Sequence, residues 1–303
     1  MTFHRLVEKP QQRAVYAQLN MVTDVTGETL EEFGERIAER VRATHPRALI
    51  LDLRLDRGGN MDLRFGFVRE LIKAETDSTR LFVLVGRGSF SATQAIIDDL
   101  DRFSNAVLVG EPASSRPNGY GDSYRIVLPN SGLTVRTSIK WHQVDDSNRP
   151  YTAIDIAAPP TFASYVEGRD PALEAALAYV PRPTLDAQLV AAGSAGGLTA
   201  VKSTLASYLS DDANRYVDVR HQLIIAPQSL FAAKRLDEAL YVAQYASERF
   251  PLSSASWSVL GHVAEWTGHP ELARRAGVKA LELEPDNREV RALMERLAAA
   301  GHK

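Results

Sequence analysis

Short apolar segments alternate with amphipathic segments in the first half of the 303-residue chain. Four apolar segments have the length of a strand: residues 15–22, 48–53, 81–86 and 106–110. Helices are predicted between them, at residues 30–41, 67–72 and 92–103, because apolar residues recur there every three or four positions. Thr29 and Glu32 have the spacing of a capping box at the first of these helices. This alternation predicts an α/β fold with a mostly parallel sheet covered by helices on both faces.

A β-hairpin is predicted after this core. Residues 124–129 and 133–141 are strand-like, and Asn130, Ser131 and Gly132 form the turn between them. Alternating polar residues in the second strand, ending at His142, fall on one face, which we expect to be solvated.

The second half of the chain has a different, helical pattern. After a helix at 171–179, residues 181–197 are rich in Pro, Ala and Gly, which indicates a domain boundary. Six residues then have the spacing of a tetratricopeptide repeat: Trp257, Leu260, Gly261, Ala273, Ala280 and Pro285. Shifting back by 34 residues places Ala239, Ala246 and Pro251 at the last three of these anchors. A helical bundle with accidental spacing is the alternative.

We therefore expect three regions. Residues 1–180 form the α/β core, residues 181–215 a linker and helix, and residues 216–303 an all-α domain of tetratricopeptide-like repeats.

Composition and charge exclude several classes of function. The chain has 35 basic and 38 acidic residues, a net charge of −3 and no basic block, so nucleic acid and anionic membrane are not expected partners. No apolar run reaches the roughly 18 residues of a membrane span. The start lacks the apolar stretch of a signal peptide. The chain is therefore either cytoplasmic or begins inside a longer precursor, and the sequence does not assign the compartment.

Metal and cofactor chemistry find no support in the sequence. There is no cysteine, which excludes disulfides, thiolate metal sites and a cysteine nucleophile. The seven histidines are scattered, and no phosphate loop, dinucleotide fingerprint or GxSxG elbow is present. We expect no metal and no cofactor.

Two loops that follow predicted parallel strands carry the candidate chemistry. The first spans residues 52–60 and contains Gly58 and Gly59, and the second spans residues 86–93 and contains Ser91. Sites in such sheets lie at the carboxyl ends of the strands. A serine hydroxyl beside two convergent N–H groups is the arrangement that acyl transfer requires. A serine at the start of a helix is more often simply a helix cap.

Four blocks of sequence, in order, resemble the tricorn core and carboxy-terminal-processing (tail-specific) serine peptidase family. They are ALILDLRLDRGGN (48–60), LVGRGSFSATQ (84–94), VLVGEPASSRPNGYGDSYRIVLPNSGLTV (107–135) and DIAAPPTFASYVEGRDPALEAAL (155–177). The resemblance covers roughly residues 13–180. It implies a ClpP/crotonase-like spiral of ββα units, which agrees with the predicted alternation of strands and helices.

The resemblance also implies roles for individual residues. Ser91 matches the nucleophile, and the N–H of Ala92 with that of Gly58 or Gly59 matches the oxyanion hole. Further residues are accessory candidates because they fall in conspicuous family motifs or could titrate near neutral pH: Asp52, Arg54, Glu111, Asn118, Tyr120 and His142. For Asp52 and Arg54 the alternative is a structural ion pair that orients the glycine loop.

The chain departs from the family at the general base. Arg116 stands where processing peptidases have a lysine, and a guanidinium does not deprotonate in proteins. The Asp-Gly-His-Thr-like segment that supplies a histidine in another branch is absent. The resemblance therefore implies a base from a missing N-terminal part or from a partner chain, and we expect weak or undetectable peptidase activity from this chain alone.

Three functions follow in order of preference. The first is a serine-type peptidase that cleaves peptides or unstructured protein segments through a serine acyl-enzyme. The second is a catalytically degenerate core that binds peptides or proteins through its helical repeats. The third, a crotonase-type acyl-CoA enzyme, shares the fold, but the blocks follow the peptidase order. The expected partners are a peptide or protein substrate and a protein bound by the repeats.

Overall fold

The computed structural model describes residues 3–145 and 149–300. They form two compact units, Met1–Tyr179 and Val180–Lys303. The predicted fold class is confirmed: a mixed α/β sheet with a parallel core precedes an all-α region.

A six-stranded sheet forms the centre of the first unit. Its strands are β1 (His4–Lys9), β2 (Ala14–Leu19), β3 (Ala48–Asp52), β4 (Arg80–Val85), β5 (Val107–Gly110) and β8 (Ile156–Ala157). Their order in the sheet follows the chain, β1 is antiparallel to β2, and every other neighbouring pair is parallel. In β3 the consecutive residues Leu49 and Ile50 are both fully buried, so both faces of the sheet are covered.

Five α-helices lie among the described residues of the first unit. They are α1 (Leu30–Thr44), α2 (Arg64–Ala74), α3 (Ala92–Phe103), α4 (Phe162–Val166) and α5 (Pro171–Leu177). The predicted capping box is present at α1, because the Thr29 hydroxyl accepts the Glu32 N–H while the Glu32 carboxylate accepts the Thr29 N–H. On one face of the sheet, Ile50, Leu84 and Val109 pack in a cluster with Ala172 of α5.

The hairpin consists of β6 (Gly119–Val127) and β7 (Thr134–His142). The sequence predicts it as an addition to the core, but among the described residues its strands pair with each other and form a separate two-stranded sheet. The apolar side chains on one face of it, including Tyr120 and Trp141, are exposed.

The second unit contains six helices among its described residues. They are α6 (Leu185–Ser210), α7 (Val219–Ala232), α8 (Leu236–Arg249), α9 (Ser254–Trp266), α10 (Pro270–Leu283) and α11 (Arg288–Ala300). The segment that the sequence assigns to a linker is largely helical, since α6 runs through it with non-helical backbone only at Gly196 and Gly197. No helix of residues 3–145 and 149–300 is long and apolar enough to cross a membrane.

Helices α9 and α10 have the geometry that the repeat spacing predicts. Leu260, Ala273 and Ala280 are buried, and Gly268, with a φ of 81°, lies in the turn before α10 begins at Pro270. Residues with small side chains occupy positions where helix backbones approach closely.

Candidate active site

The two loops predicted to carry the chemistry lie side by side. Their strands, β3 and β4, are parallel neighbours, so both loops leave the same edge of the sheet. The Phe90 N–H donates to the carbonyl of Asp56 at 3.0 Å, and the Ser89 hydroxyl donates to the carbonyl of Leu53 at 2.9 Å. These hydrogen bonds fix the serine loop against the glycine loop.

Ser91 is held in an unusual backbone conformation. It occupies the N-cap position of α3 with φ 60° and ψ −122°, and its side chain makes no capping hydrogen bond. A residue with a Cβ in such a region costs roughly 1–3 kcal/mol and persists only where its surroundings enforce it. Its side chain therefore does not act as the helix cap that the sequence alternative describes.

The glycine loop approaches Ser91 too closely for any side chain. A Cβ built on Gly58, whose φ is 89°, would lie 2.7 Å from the Cβ of Ser91 and 2.9 Å from the nitrogen of Ala92. A Cβ on Gly59 would lie 2.1 Å from the carbonyl oxygen of Val22. Only glycine fits at these two positions, because neighbouring segments of the chain approach the loop too closely for a Cβ.

The backbone N–H groups around Ser91 divide into paired and unpaired ones. The Gly58 N–H donates to Oδ1 of Asp56 at 2.9 Å, and the Asn60 N–H donates to the carbonyl of Val22 at 2.8 Å. The N–H groups of Gly59 and Ala92 donate to no atom of the residues that the structure describes. Of the two glycines that the resemblance offers for an oxyanion hole, only Gly59 has a free N–H group.

Asp56 belongs to the same loop and is fully buried. Burial raises the pKa of its carboxyl to about 7, although the N–H of Gly58 favours the ionised form. Its Oδ2 has no hydrogen-bond partner among the described residues. The Thr93 hydroxyl donates to its carbonyl at 3.2 Å. Asp56 therefore joins the glycine loop to the first turn of α3.

A cleft of about 650 Å³ opens in front of Ser91. Its lining includes several residues predicted from sequence, namely Gly59, Ser91, Ala92, Asn118, Tyr120 and His142. Arg116 lines it too. The sequence reasoning did not single out Gly121, Asp122 and Lys140, which also line it.

Asn118 and Tyr120 have mainly structural contacts. The Asn118 side chain accepts the N–H groups of Val144 and Asp145 at 2.9 Å and donates to the carbonyl of Asp145 at 2.8 Å. It thereby ties the start of β6 to the segment after β7. The ring of Tyr120 packs edge-on against Trp141, with 5.0 Å between centroids.

Asp52 and Arg54 lie outside the cleft. The Asp52 carboxylate accepts hydrogen bonds from Arg54 at 2.7–3.0 Å and from the Tyr16 hydroxyl at 2.6 Å. Arg54 also donates to both carboxylate oxygens of Asp170, at 2.6 and 2.8 Å. Burial and the Asp52 carboxylate raise the pKa of Tyr16. The arrangement is an ion-pair clamp between the end of β3 and the start of α5.

Glu111 is also separate from Ser91. It lines a second pocket of about 590 Å³ together with Asp52 and Arg54, and its carboxylate accepts a hydrogen bond from Arg87 at 2.9 Å. The structure therefore brings six of the ten predicted residues to the Ser91 cleft. It places Gly58 against Ser91 but outside the cleft lining, and it leaves Asp52, Arg54 and Glu111 elsewhere. In the part of the chain that is described, no three His, Asp or Glu side chains lie together as a metal site would need.

No protein-family model matches this chain, and no curated protein matches it. Among solved structures, the chain is similar to a proposed peptidase from Parabacteroides merdae, with 19% identity and a TM-score of 0.45 over 58% of this chain and 65% of that one. It is similar to a photosystem II D1 C-terminal processing protease, with 17% identity and a TM-score of 0.32 over 43% of this chain and 38% of that one. A third similar structure is the first tetratricopeptide domain of Spaghetti bound to an HSP90 peptide, with 18% identity and a TM-score of 0.29 over 39% of this chain and 91% of that one. The chain spans less than two thirds of the length of the first two.

Proposed function

We propose that this chain is a serine-type peptidase core that forms an acyl-enzyme on Ser91. The observation that carries the proposal is the conformation of Ser91. Its backbone is held at φ 60°, its side chain makes no helix-capping hydrogen bond, and the residue lines the cleft. Serine nucleophiles on strained strand-to-helix turns expose their hydroxyl in this way. An ordinary helix cap would need neither the strain nor the cleft.

The unpaired N–H groups of Gly59 and Ala92 supply the second requirement of acyl transfer. Both residues line the cleft beside Ser91. When the Ser91 oxygen bonds to a peptide carbonyl carbon, the carbonyl electron pair moves onto its oxygen. Two N–H donors at that position stabilise the negative charge, and the positive end of the α3 dipole adds to the effect.

The reaction then proceeds in two stages. A general base takes the hydroxyl proton of Ser91 as its oxygen attacks. Collapse of the tetrahedral adduct breaks the C–N bond, the same group gives that proton to the leaving amine, and an ester remains on Ser91. Water adds to that ester, loses a proton to the same group, and releases the carboxylate while Ser91 regains its hydroxyl. The cleft volume of about 650 Å³ suits a segment of unstructured chain.

The test measures both covalent labelling and hydrolysis. An alkyl fluorophosphonate should add one phosphonyl group to Ser91, identified by peptide mass mapping, and Ser91→Ala should take no label. Ser78→Ala, an exposed loop serine, is the matched control and should label as the parent does. Cleavage of denatured casein by the parent should be weak at most, should be the same in Ser78→Ala and should be absent in Ser91→Ala. A parent chain that takes no label on Ser91 would overturn the proposal.

A degenerate, peptide-binding core is the second candidate. Arg116 favours it, because a guanidinium occupies the position of the family's lysine base. Its distinguishing result is saturable binding of an unstructured peptide by a chain whose Ser91 takes no label.

A further inference from the structure

The polar face of the hairpin forms one wall of the Ser91 cleft. In the hairpin register, Gly119 pairs with His142 and Gly121 pairs with Lys140. Directly paired residues project to the same face of a sheet, so His142 and Lys140 share a face with two glycines. Both side chains line the cleft that also contains Ser91. The hairpin thus brings two nitrogen groups into the cleft that contains Ser91.

The imidazole of His142 lies directly over Gly121. A Cβ built on Gly121 would be 3.0 Å from both Cδ2 and Nε2 of the ring. The absence of a side chain at this position therefore provides the space that the ring occupies. Only 19% of the His142 side chain is exposed, whereas 65% of the Lys140 side chain is exposed.

Asp122 faces the same edge of the ring. Its Oδ2 is 3.5 Å from Nε2 of His142 and 3.7 Å from Nζ of Lys140. Asp122 has a φ of 51°, in the left-handed region that aspartate tolerates better than most residues. A carboxylate beside one ring nitrogen orients the imidazole.

We infer that His142 is the general base that activates Ser91, with Asp122 as its positioning residue. This inference rests on the proposed function. Asp122 faces Nε2, so Nδ1 is the atom that takes the proton from the Ser91 hydroxyl, directly or through one water molecule. The same Nδ1–H then protonates the leaving amine, and the neutral ring accepts a proton from the water that hydrolyses the ester.

The other charged groups of the cleft are poorer bases. They are Asp122 of β6, Lys140 of β7, Arg116 of the loop after β5, and Asp62 of the short 3-10 helix before α2. A solvated ammonium keeps its proton at neutral pH, and a guanidinium keeps it at any pH a protein survives. Among ordinary side chains, only an imidazole changes its charge between about pH 5 and pH 8.

The experiment follows the rate at which a fluorophosphonate labels Ser91 in the full chain between about pH 5 and pH 8. The parent rate should rise with pH along a single titration. His142→Ala should lower it about 10²–10⁴-fold and flatten the pH profile. Added imidazole should restore part of that rate, which a merely structural loss would not allow. His142→Gln serves as a second variant, and thermal unfolding of both checks that they fold.

Two further variants sharpen the test. Asp122→Asn should lower the labelling rate of Ser91, because the ring loses the carboxylate that orients it. His221→Ala, an exposed histidine of the second unit, is the control and should label at the parent rate.

The failures of the two ideas are distinguishable. Label on Ser91 at an unchanged rate in folded His142→Ala, or loss of rate in Lys140→Gln with none in His142→Ala, overturns this inference and leaves the proposed function standing. Absence of label on Ser91 in the parent chain overturns both.

Discussion

The N–H of Ser91 donates a hydrogen bond to the hydroxyl of Ser115 at 2.8 Å. Through this bond the segment after β5 contacts the strained backbone of Ser91, the predicted nucleophile. The sequence by itself indicates no role for Ser115. The structure makes it one of the groups that hold φ of Ser91 at 60°.

Ser115→Ala should therefore reduce the reactivity of Ser91 more than it reduces stability. One hydrogen bond contributes about 1 kcal/mol, which corresponds to about a fivefold lower labelling rate. Fluorophosphonate labelling and urea unfolding of the same preparation measure the two effects. Ser131→Ala, in the hairpin turn, is the control and should change neither. An unchanged labelling rate in Ser115→Ala would contradict a role in holding Ser91.

Gly58→Ala should abolish labelling of Ser91. The added Cβ would lie 2.7 Å from the Cβ of Ser91, so one of the two loops must move. Gly27→Ala is a matched control, since Gly27 has a similar φ of 84° but a Cβ there meets nothing within 4 Å. Both variants carry the left-handed strain of about 1 kcal/mol, and only Gly58→Ala carries the clash. Equal labelling rates in the two variants would show that the close approach does not matter.

Asp56 should make the free energy of unfolding decrease as the pH rises from about 4 to about 7. Burial raises its folded pKa to about 7, whereas an unfolded aspartate ionises near about 4. Between these values the folded chain binds more protons, so a higher pH favours unfolding; above about pH 7 both states are ionised and the contribution is constant. Urea unfolding from about pH 4 to pH 8 should show a shallower decrease in Asp56→Asn.

The comparison with Asp56→Asn isolates one carboxyl. Burial also raises the pKa values of Asp98 and Asp155 to about 6, and these contributions are common to the parent and the variant. Asp77→Asn, on an exposed turn, should leave the pH dependence unchanged. Parallel curves for the parent and Asp56→Asn would contradict the buried titration.

Removing Arg54 should destabilise the first unit. Asp52 is buried, and Arg54→Gln leaves its carboxylate without the cation that joins it to Asp170, which costs about 3–5 kcal/mol. Arg69→Gln is the control, because Arg69 also contacts two carboxylates but its side chain is 55% exposed, and it should cost less than about 1 kcal/mol. Similar costs in chemical unfolding would mean that the Arg54 clamp contributes no more than a surface ion pair.

Ala273→Leu should destabilise the helical repeats alone. Ala273 is fully buried, so a larger side chain overpacks the contact and costs roughly 1–3 kcal/mol. We propose that the two regions are separate domains and expect two unfolding transitions in calorimetry, of which only that of the repeats moves. Ala255→Leu, on the exposed face of α9, should leave both unchanged. A single transition that Ala273→Leu does not affect would contradict the separate domain.

The periodic elements could be predicted from the sequence, and the weakly patterned ones could not. Strands β3 to β5 are continuous apolar runs, and the structure has them within one residue of the predicted ends. The strand β1 was missed because it lies at the edge of the sheet and is only partly buried, so His4–Lys9 has no apolar run. The glycines near residue 196 suggested a linker, yet they only interrupt α6.

The candidate site shows a similar division. The two loops could be paired from sequence because their strands are predicted neighbours. The glycine whose N–H remains unpaired could not be predicted, because this depends on the hydrogen bond from the Gly58 N–H to the Asp56 carboxylate. The pairing of Asp122 with His142 depends on a left-handed residue inside β6, for which the sequence gives no clear signal. Counting the register back from the turn at Gly132 would at least have placed His142 opposite Gly119.

The self-paired hairpin makes a spectroscopic reporter straightforward to install. Its turn includes Gly132, where a Cβ would meet no atom within 4 Å, and the neighbouring Ser131 is exposed. The chain contains no cysteine, so Ser131→Cys would be its single thiol and could carry one fluorophore. Fluorescence anisotropy of that dye would then report ligand binding at the hairpin that carries His142, and the substitution would leave the six-stranded sheet unchanged.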